Sequence, residues 1–312
     1  MDLELLEKMT RFNAVVGNEH PFAAWLVEQL RPHAARVEVD RIGNVYAWRG
    51  SDPRVAIFSH MDSVGFIVEE VREGAVKVVK MGAPATPNYA PMVVETTQGE
   101  LRGTLLVEGD NYQIDLWEPE AAQQVEVGDV AAFAPNFRAE GGLVHSRWLD
   151  NKLGVWVAFE TWKEAENAVF VATVREEHPP AGAGSASLRV QGLEVAIVVD
   201  ITYSSSPQGP YIVEWGKGPA ITLRDAQVHD RRWAKAMLKV AQESEIPAQP
   251  EIALSGGSDA MHVSVAGFPA IFVGLPIRYA HTPAEVTRLS DCEAARALIL
   301  RFLDRHADGR LP

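Results

Sequence analysis

Seven acidic or histidine side chains stand where apolar runs or glycine-rich turns end: His60, Asp62, Asp150, Glu176, Glu177, Asp200 and His281. Two imidazoles and several carboxylates, with no thiol among them, make a ligand set for a divalent transition ion, zinc above all and cobalt or manganese next. Two such ions can share a bridging carboxylate and activate a water between them as a nucleophile. Each piece alone is weak. An isolated His60-Met61-Asp62 is an ordinary triplet, and Glu176-Glu177 by itself reads as a solvated surface pair. An Asp at a strand end is often a turn former or a helix cap. The joint pattern is what points to one centre.

That centre requires elements that bring distant residues together. Val55-Ala56-Ile57-Phe58 is a continuous apolar run that stops at Ser59-His60-Met61-Asp62. Ala168 to Val174 stops in the same way at Arg175-Glu176-Glu177, Val195 to Val199 at Asp200, and Ala270 to Leu275 shortly before His281. Unbroken apolar runs of this length read as strands buried on both faces, and the carboxyl ends of parallel strands lie along one edge. Helix candidates alternate with them, at 21–30, 153–165, 184–190, 231–243 and 291–303, and the first residues, with Leu3, Leu5, Leu6, Met9 and Phe12, fit one helix face. Residues 66–140 differ in texture. Short strand-like runs (76–79, 92–96, 101–107, 130–133) are separated by turn residues, with one helix candidate at 119–124. Such a stretch reads as a small β-barrel or sandwich. The expected fold is α/β, with a mixed, mostly parallel sheet and helices on both faces, interrupted by an all-β, barrel-like insertion. Residues 1–65 and 141–312 would form the α/β unit, and 66–140 the insertion.

Composition narrows the function. The chain has 312 residues, a length that suggests roughly two domains. Acidic residues outnumber basic ones 42 to 29, for a net charge of −13. Nucleic acid is therefore excluded as the main partner, since phosphate binding needs a basic surface. The same charge suits solubility and attracts cations. The single cysteine, Cys292, excludes an internal disulfide framework and a Cys-based zinc knuckle. No apolar run approaches the roughly 20 residues of a membrane span. The acidic start, Met1-Asp2-Leu3-Glu4, has no basic, apolar leader character. The expected location is the cytoplasm, with no membrane partner.

Seven segments, in order along almost the whole chain, make the sequence resemble the tetrahedral-aminopeptidase group, the dinuclear metallo-aminopeptidases that include glutamyl and lysyl aminopeptidases. They are 59–66 (Ser-His-Met-Asp-Ser-Val-Gly-Phe), 147–154 (Arg-Trp-Leu-Asp-Asn-Lys-Leu-Gly), 173–177 (Thr-Val-Arg-Glu-Glu), 198–202, 216–220, 256–260 (Gly-Gly-Ser-Asp-Ala) and 278–286 (Arg-Tyr-Ala-His-Thr-Pro-Ala-Glu-Val). The β-rich insertion falls between the first two, where that group also carries one.

The resemblance implies two ions per subunit, one held by His60, Asp150 and Asp200 and the other by Asp150, Glu177 and His281, with Asp150 bridging. It implies that Asp62 fixes the tautomer of His60, that Glu176 is the general base, and that the Asp150–Asn151 peptide is cis. The implied activity is removal of N-terminal residues from peptides by a metal-activated water. Implied too is a homo-oligomer, a dimer or a tetrahedral dodecamer, with the insertion as contact surface and Tyr89, Tyr112 and Trp117 as exposed candidates. Adjacent side chains in extended chain face opposite ways, which allows Glu177 and Glu176 different partners. One departure bears on specificity: His178-Pro179-Pro180 follows the glutamates in place of a Val-Gly-rich turn; 13–19 also lacks the group's Pro-Gly-x-Ser-Gly character. His262 is expected in a helix capped by Ser258 or Asp259. A related amidohydrolase, a deacylase or carboxypeptidase, fits the same α/β scaffold, and a non-catalytic peptide-binding paralogue is the alternative outside enzymes.

Overall fold

The computed structural model describes residues 1–179, 181–190, 192–207, 211–253 and 256–311. The apolar runs form the middle of an 11-stranded sheet. Four parallel strands lie there in the order Ala168–Thr173, Val55–His60, Val195–Tyr203 and Ala270–Arg278. Antiparallel strands flank them: Val45–Arg49 and Arg36–Val39 on one side, Val286–Arg288, Leu143–His145 and Arg138–Glu140 on the other. Arg138–Glu140, at the end of the expected insertion, thus pairs into the large sheet.

Successive side chains of a strand face opposite sides, and the core divides accordingly. Val55 and Ile57, Phe170 and Ala172, Ile197 and Val199, and Ile271 and Val273 pack into one layer. Helices Leu3–Arg11, His20–Leu30, Leu149–Trp162, Arg231–Glu243 and Leu289–Ala307 close that layer. Ala56 and Phe58, Val169 and Val171, Ala196 and Val198, and Phe272 pack on the other side under the shorter helices Ala183–Arg189 and Asp259–Val265. Helix starts are marked by the expected chemistry. Asp2 accepts the N–H groups of Glu4 and Leu5 at 2.9 and 3.2 Å, and Ser258 accepts that of Ala260.

The inserted segment forms a closed six-stranded antiparallel barrel of Gly65–Arg72, Ala75–Met81, Asn111–Leu116, Gly99–Glu108, Pro91–Thr96 and Val130–Phe133. Closure leaves no free strand edge. Its core includes Phe66, Val78, Met92, Ile114 and Phe133. The helix candidate at Pro119–Gln124 is a 3-10 turn. Tyr89 and Trp117 are exposed at 71% and 59%. Tyr112 is not: it packs against the barrel core beside Phe66, under the ammonium of Lys80. Fully buried Arg147 joins the barrel to the end of the first helix, donating to the carbonyls of Thr10, Arg11 and Phe133 and to Asn13 Oδ1.

Candidate metal centre

Sheet register brings the candidate residues to one edge. Thr173 lies opposite His60, which sets Glu176 and Glu177 just beyond the end of the neighbouring strand. Val198 lies opposite Phe58, so two residues further on Asp200 comes level with His60. His60 Nε2 is 3.3 Å from Asp200 Oδ1 and 3.4 Å from Asp150 Oδ1. The other Asp150 oxygen, Oδ2, is 3.2 Å from His281 Nε2, which in turn is 3.3 Å from Glu177 Oε2. His60, Asp150 and Glu177 offer donor atoms within 4.8 Å of one another.

These separations fit shared cations. Two donors each about 2.0–2.1 Å from a tetrahedral ion stand about 3.3 Å apart. The Oε1 atom of Glu177 is buried and has no hydrogen-bond partner, so one strong acceptor is left for something absent from the polypeptide. Five carboxylates, Asp62, Asp150, Glu176, Glu177 and Asp200, surround two imidazoles, a surplus of acidic groups that a divalent ion offsets.

Electrostatics follow from that crowding. Burial alone would lower His60, but Asp200, Asp150 and Asp62 outweigh it and hold its imidazole well above the usual histidine range. Burial would lower His281 as well, yet Asp150 and Glu177 push it up to about 12. Asp150 runs the opposite way: burial raises it, and the two histidines bring it below the ordinary carboxylate value. Burial, then Asp150, pushes Glu177 up to about 7. Burial also raises Asp200, against the opposing charge of His60. Glu176 stands well above a normal carboxyl, first by burial and then through Asp200, Glu177 and Asp259, with His60 opposing.

Asp62 has a wider role than the sequence suggests. Its Oδ1 and Oδ2 accept the backbone N–H groups of Glu176 and Glu177, both at 3.0 Å. His60 Nδ1 lies 3.2 Å from the Asp62 carbonyl oxygen and 3.6 Å from its carboxylate, so the carbonyl is the nearer partner of the ring. Burial would raise Asp62; His60 and the two backbone donors hold it below its ordinary value.

Several neighbours carry no role in the sequence reading. Glu285, fully buried, accepts the N–H of Asp150 at 3.0 Å and that of His281 at 2.7 Å. Burial, reinforced by Asp150, raises its carboxyl well above normal. Lys152, also fully buried, donates to the carbonyl of Met61 and to Ser63 Oγ, and Ser63 donates to the carbonyl of Asp150 at 3.0 Å. Burial brings its ammonium down to about 8. Asn151 Nδ2 reaches Ser59 Oγ at 3.1 Å and the Val199 carbonyl at 3.0 Å, tying the start of the helix to both strands. Asp259 bonds the Thr173 hydroxyl, and burial pushes its carboxyl up to about 7. The cap of its helix is Ser258, and His262 lies within that helix.

The Asp150–Asn151 peptide is cis, as the resemblance implies. Among the described residues, six other than glycine have left-handed φ, and four of them (Trp148, Arg175, Tyr279 and His281) adjoin or belong to this centre. Such conformations gather where a site over-determines the backbone. His178 is exposed, and Pro180 of the same departure lies outside the described residues.

Fold and centre together define a metal-dependent peptidase. Residues 43–115 and 110–298 match the M42 glutamyl aminopeptidase family, and the chain belongs to that family. A relative from Acetivibrio thermocellus named for aminopeptidase activity is 30% identical, over 96% of this chain and 98% of its own. The TET aminopeptidase of a marine-sediment Thaumarchaeota archaeon superposes with a TM-score of 0.91 at 25% identity, covering 97% of this chain and 96% of its own. A TET peptidase of Pyrococcus horikoshii, described as assembling into a tetrahedron or a large octahedral shell, gives 0.87 at 25% identity over 96% and 98%. Among the described residues no helix is long and apolar enough to cross a membrane.

Proposed function

We propose that this M42 peptidase is a dinuclear aminopeptidase that removes N-terminal residues from peptides. His60, Asp150 and Asp200 would hold one ion, and Asp150, Glu177 and His281 the other. Zinc suits this nitrogen and oxygen set best, with cobalt or manganese as alternatives. The observation that carries the proposal is the division of Asp150: Oδ1 faces His60 at 3.4 Å and Oδ2 faces His281 at 3.2 Å. A single-ion site has no need for a carboxylate that addresses two separate imidazoles.

Divalent ions bound here would acidify a water and polarise the scissile carbonyl. The rest falls to the chain. Glu176, whose carboxyl burial holds well above the ordinary carboxylate range, takes the water proton and returns it to the leaving amine. Asp62 fixes the backbone of Glu176 and Glu177 together, so base and ligand keep one relative position. In the same proposal residues 1–65 with 141–312 form the catalytic unit. Residues 66–140 form the insertion, whose barrel serves oligomerisation and substrate access. The assembly proposed is a homodimer, with a tetrahedral dodecamer as the larger form. Exposed Tyr89 and Trp117 and the shell formed by the Pyrococcus horikoshii relative support it.

The test compares free-amino aminoacyl amides with their N-blocked counterparts, using protein of measured metal content. Hydrolysis confined to the free-amino series, with about two ions per chain, is the expected result. Preference for blocked substrates would favour the amidohydrolase alternative, and failure to cleave either would favour a binding protein.

A further inference from the structure

Next to the centre, on the same side of the sheet, lies a cavity of about 350 Å³. Its walls include Tyr203, Ile212, Ile252 and Phe272, and two carboxylates, Asp225 and Glu251, also line it. No lysine or arginine is among its described lining residues. Position relates it to the centre. Asp200 and Thr202 are two apart in one strand, so their side chains leave the same face about 7 Å apart. Thr202 Oγ1 donates to Glu251 Oε1 at 2.7 Å, and Thr222 donates to Oε2 at 2.6 Å. The contact is possible because position 274 has no side chain: a Cβ there would stand 2.9 Å from Thr202 Cβ. Tyr203 also lines the adjoining hollow formed by Ala280 and Thr282, which flank His281.

Glu251 is 6% exposed and accepts from two neutral hydroxyls; Asp225 is 2% exposed, its Oδ1 accepting the Gln227 N–H at 2.8 Å and its Oδ2 lying 3.1 Å from Nε2 of the equally buried His229. A carboxylate as far from water as that of Glu251 is costly without a compensating positive charge. Apolar walls around an acidic end match one kind of side chain, a long aliphatic stem with a cationic tip. A glutamate side chain would meet like charges, and a leucine would leave Glu251 with its two hydroxyls alone.

We propose that this cavity receives the side chain of the substrate's N-terminal residue and that Glu251, together with Asp225, selects lysine and arginine. The inference rests on the aminopeptidase reading. It is tested on the metal-loaded protein with fluorogenic amides of Lys, Arg, Leu, Ala and Glu. The expected kcat/KM for Lys and Arg exceeds that for Leu by about tenfold or more, with Glu lowest. Glu251→Gln is expected to cut the Lys-to-Leu ratio by about tenfold, and Asp225→Asn to cut it in the same direction should the first variant fail to fold. Calorimetry of free lysine against free leucine on the Glu176→Gln protein should rank them in the same order. Cleavage led by Leu, Ala or Glu, or a ratio unmoved in folded variants, overturns the inference and leaves the aminopeptidase standing. Cleavage of none of the amides overturns both.

Discussion

The carboxylate of Glu285 accepts the backbone N–H of Asp150 at 3.0 Å. Its second oxygen accepts the N–H of His281 at 2.7 Å, so one buried side chain fixes two residues that the proposed second ion would share. A glutamine can offer one acceptor there, and its amide would face the other N–H donor to donor. Glu285→Gln is therefore expected to weaken the ion held by Asp150, Glu177 and His281 by about 10- to 100-fold, the usual effect of losing a residue that orients ligands. Competition with a chelator, read as two separate dissociation steps, checks it. Equal weakening of both steps, or none, would count against the assignment.

The neighbouring glutamates should separate in the same kind of experiment. Glu176→Gln keeps size and removes the base, so turnover should fall by roughly 10²- to 10⁴-fold with metal content nearly intact. Glu177→Gln removes an anionic ligand, and its loss should appear as reduced occupancy of one site, partly rescued by added metal. Metal analysis beside turnover distinguishes them. Loss of metal from Glu176→Gln alone would reverse the roles.

Metal affinity should rise with pH. In the metal-free protein Asp150 and Glu177 push His281 up to about 12, against burial, so its imidazole is protonated at neutral pH. Coordination needs the neutral ring, and binding must expel that proton. Raising the pH lowers the proton's competition, so the dissociation constant should fall between about pH 6 and pH 8. Calorimetry in buffers of different ionisation enthalpy counts the protons released. Affinity that is flat or declines with pH would contradict the protonated His281.

Much of this centre is legible because buried apolar runs announce strands, and their ends announce an edge. Val55 to Phe58 and Val195 to Val199 lead directly to His60 and Asp200, and register does the rest. The role of Glu285 is illegible for a physical reason: it acts on backbone N–H groups, which every non-proline residue has. Lys152 is hidden similarly, since it serves the carbonyl of Met61. Among the strands, Ala220–Arg224 and Gln249–Ile252 are not evident in the sequence. Pro250 reads as a breaker, yet Gln249–Ile252 pairs on one side only, where a missing N–H is tolerated. In the barrel, Asn111–Leu116 alternates Tyr112, Ile114 and Leu116 with polar residues, but Asn, Gln and Asp between them resemble turn chemistry.

Gly154 offers a test of how tightly the scaffold is set. Gly→Ala in a helix interior ordinarily stabilises by about 1 kcal/mol. At this position a Cβ would stand 2.1 Å from Asn151 Oδ1 and 2.6 Å from Ser59 Oγ. Asn151 has little room to yield. Its Oδ1 accepts the Gly154 N–H at 2.9 Å while its Nδ2 holds Ser59 and the Val199 carbonyl, on the strands that carry His60 and Asp200. Overpacking of a filled core costs about 1–3 kcal/mol, and displaced hydrogen bonds add to it. The clash should exceed the helix gain, so Gly154→Ala is expected to destabilise by about 2 kcal/mol and to loosen metal binding with it. Urea unfolding of the metal-free proteins measures the first effect, and chelator competition the second. A variant more stable than the parent would show that Asn151 can move aside, and that it does not brace the two strands.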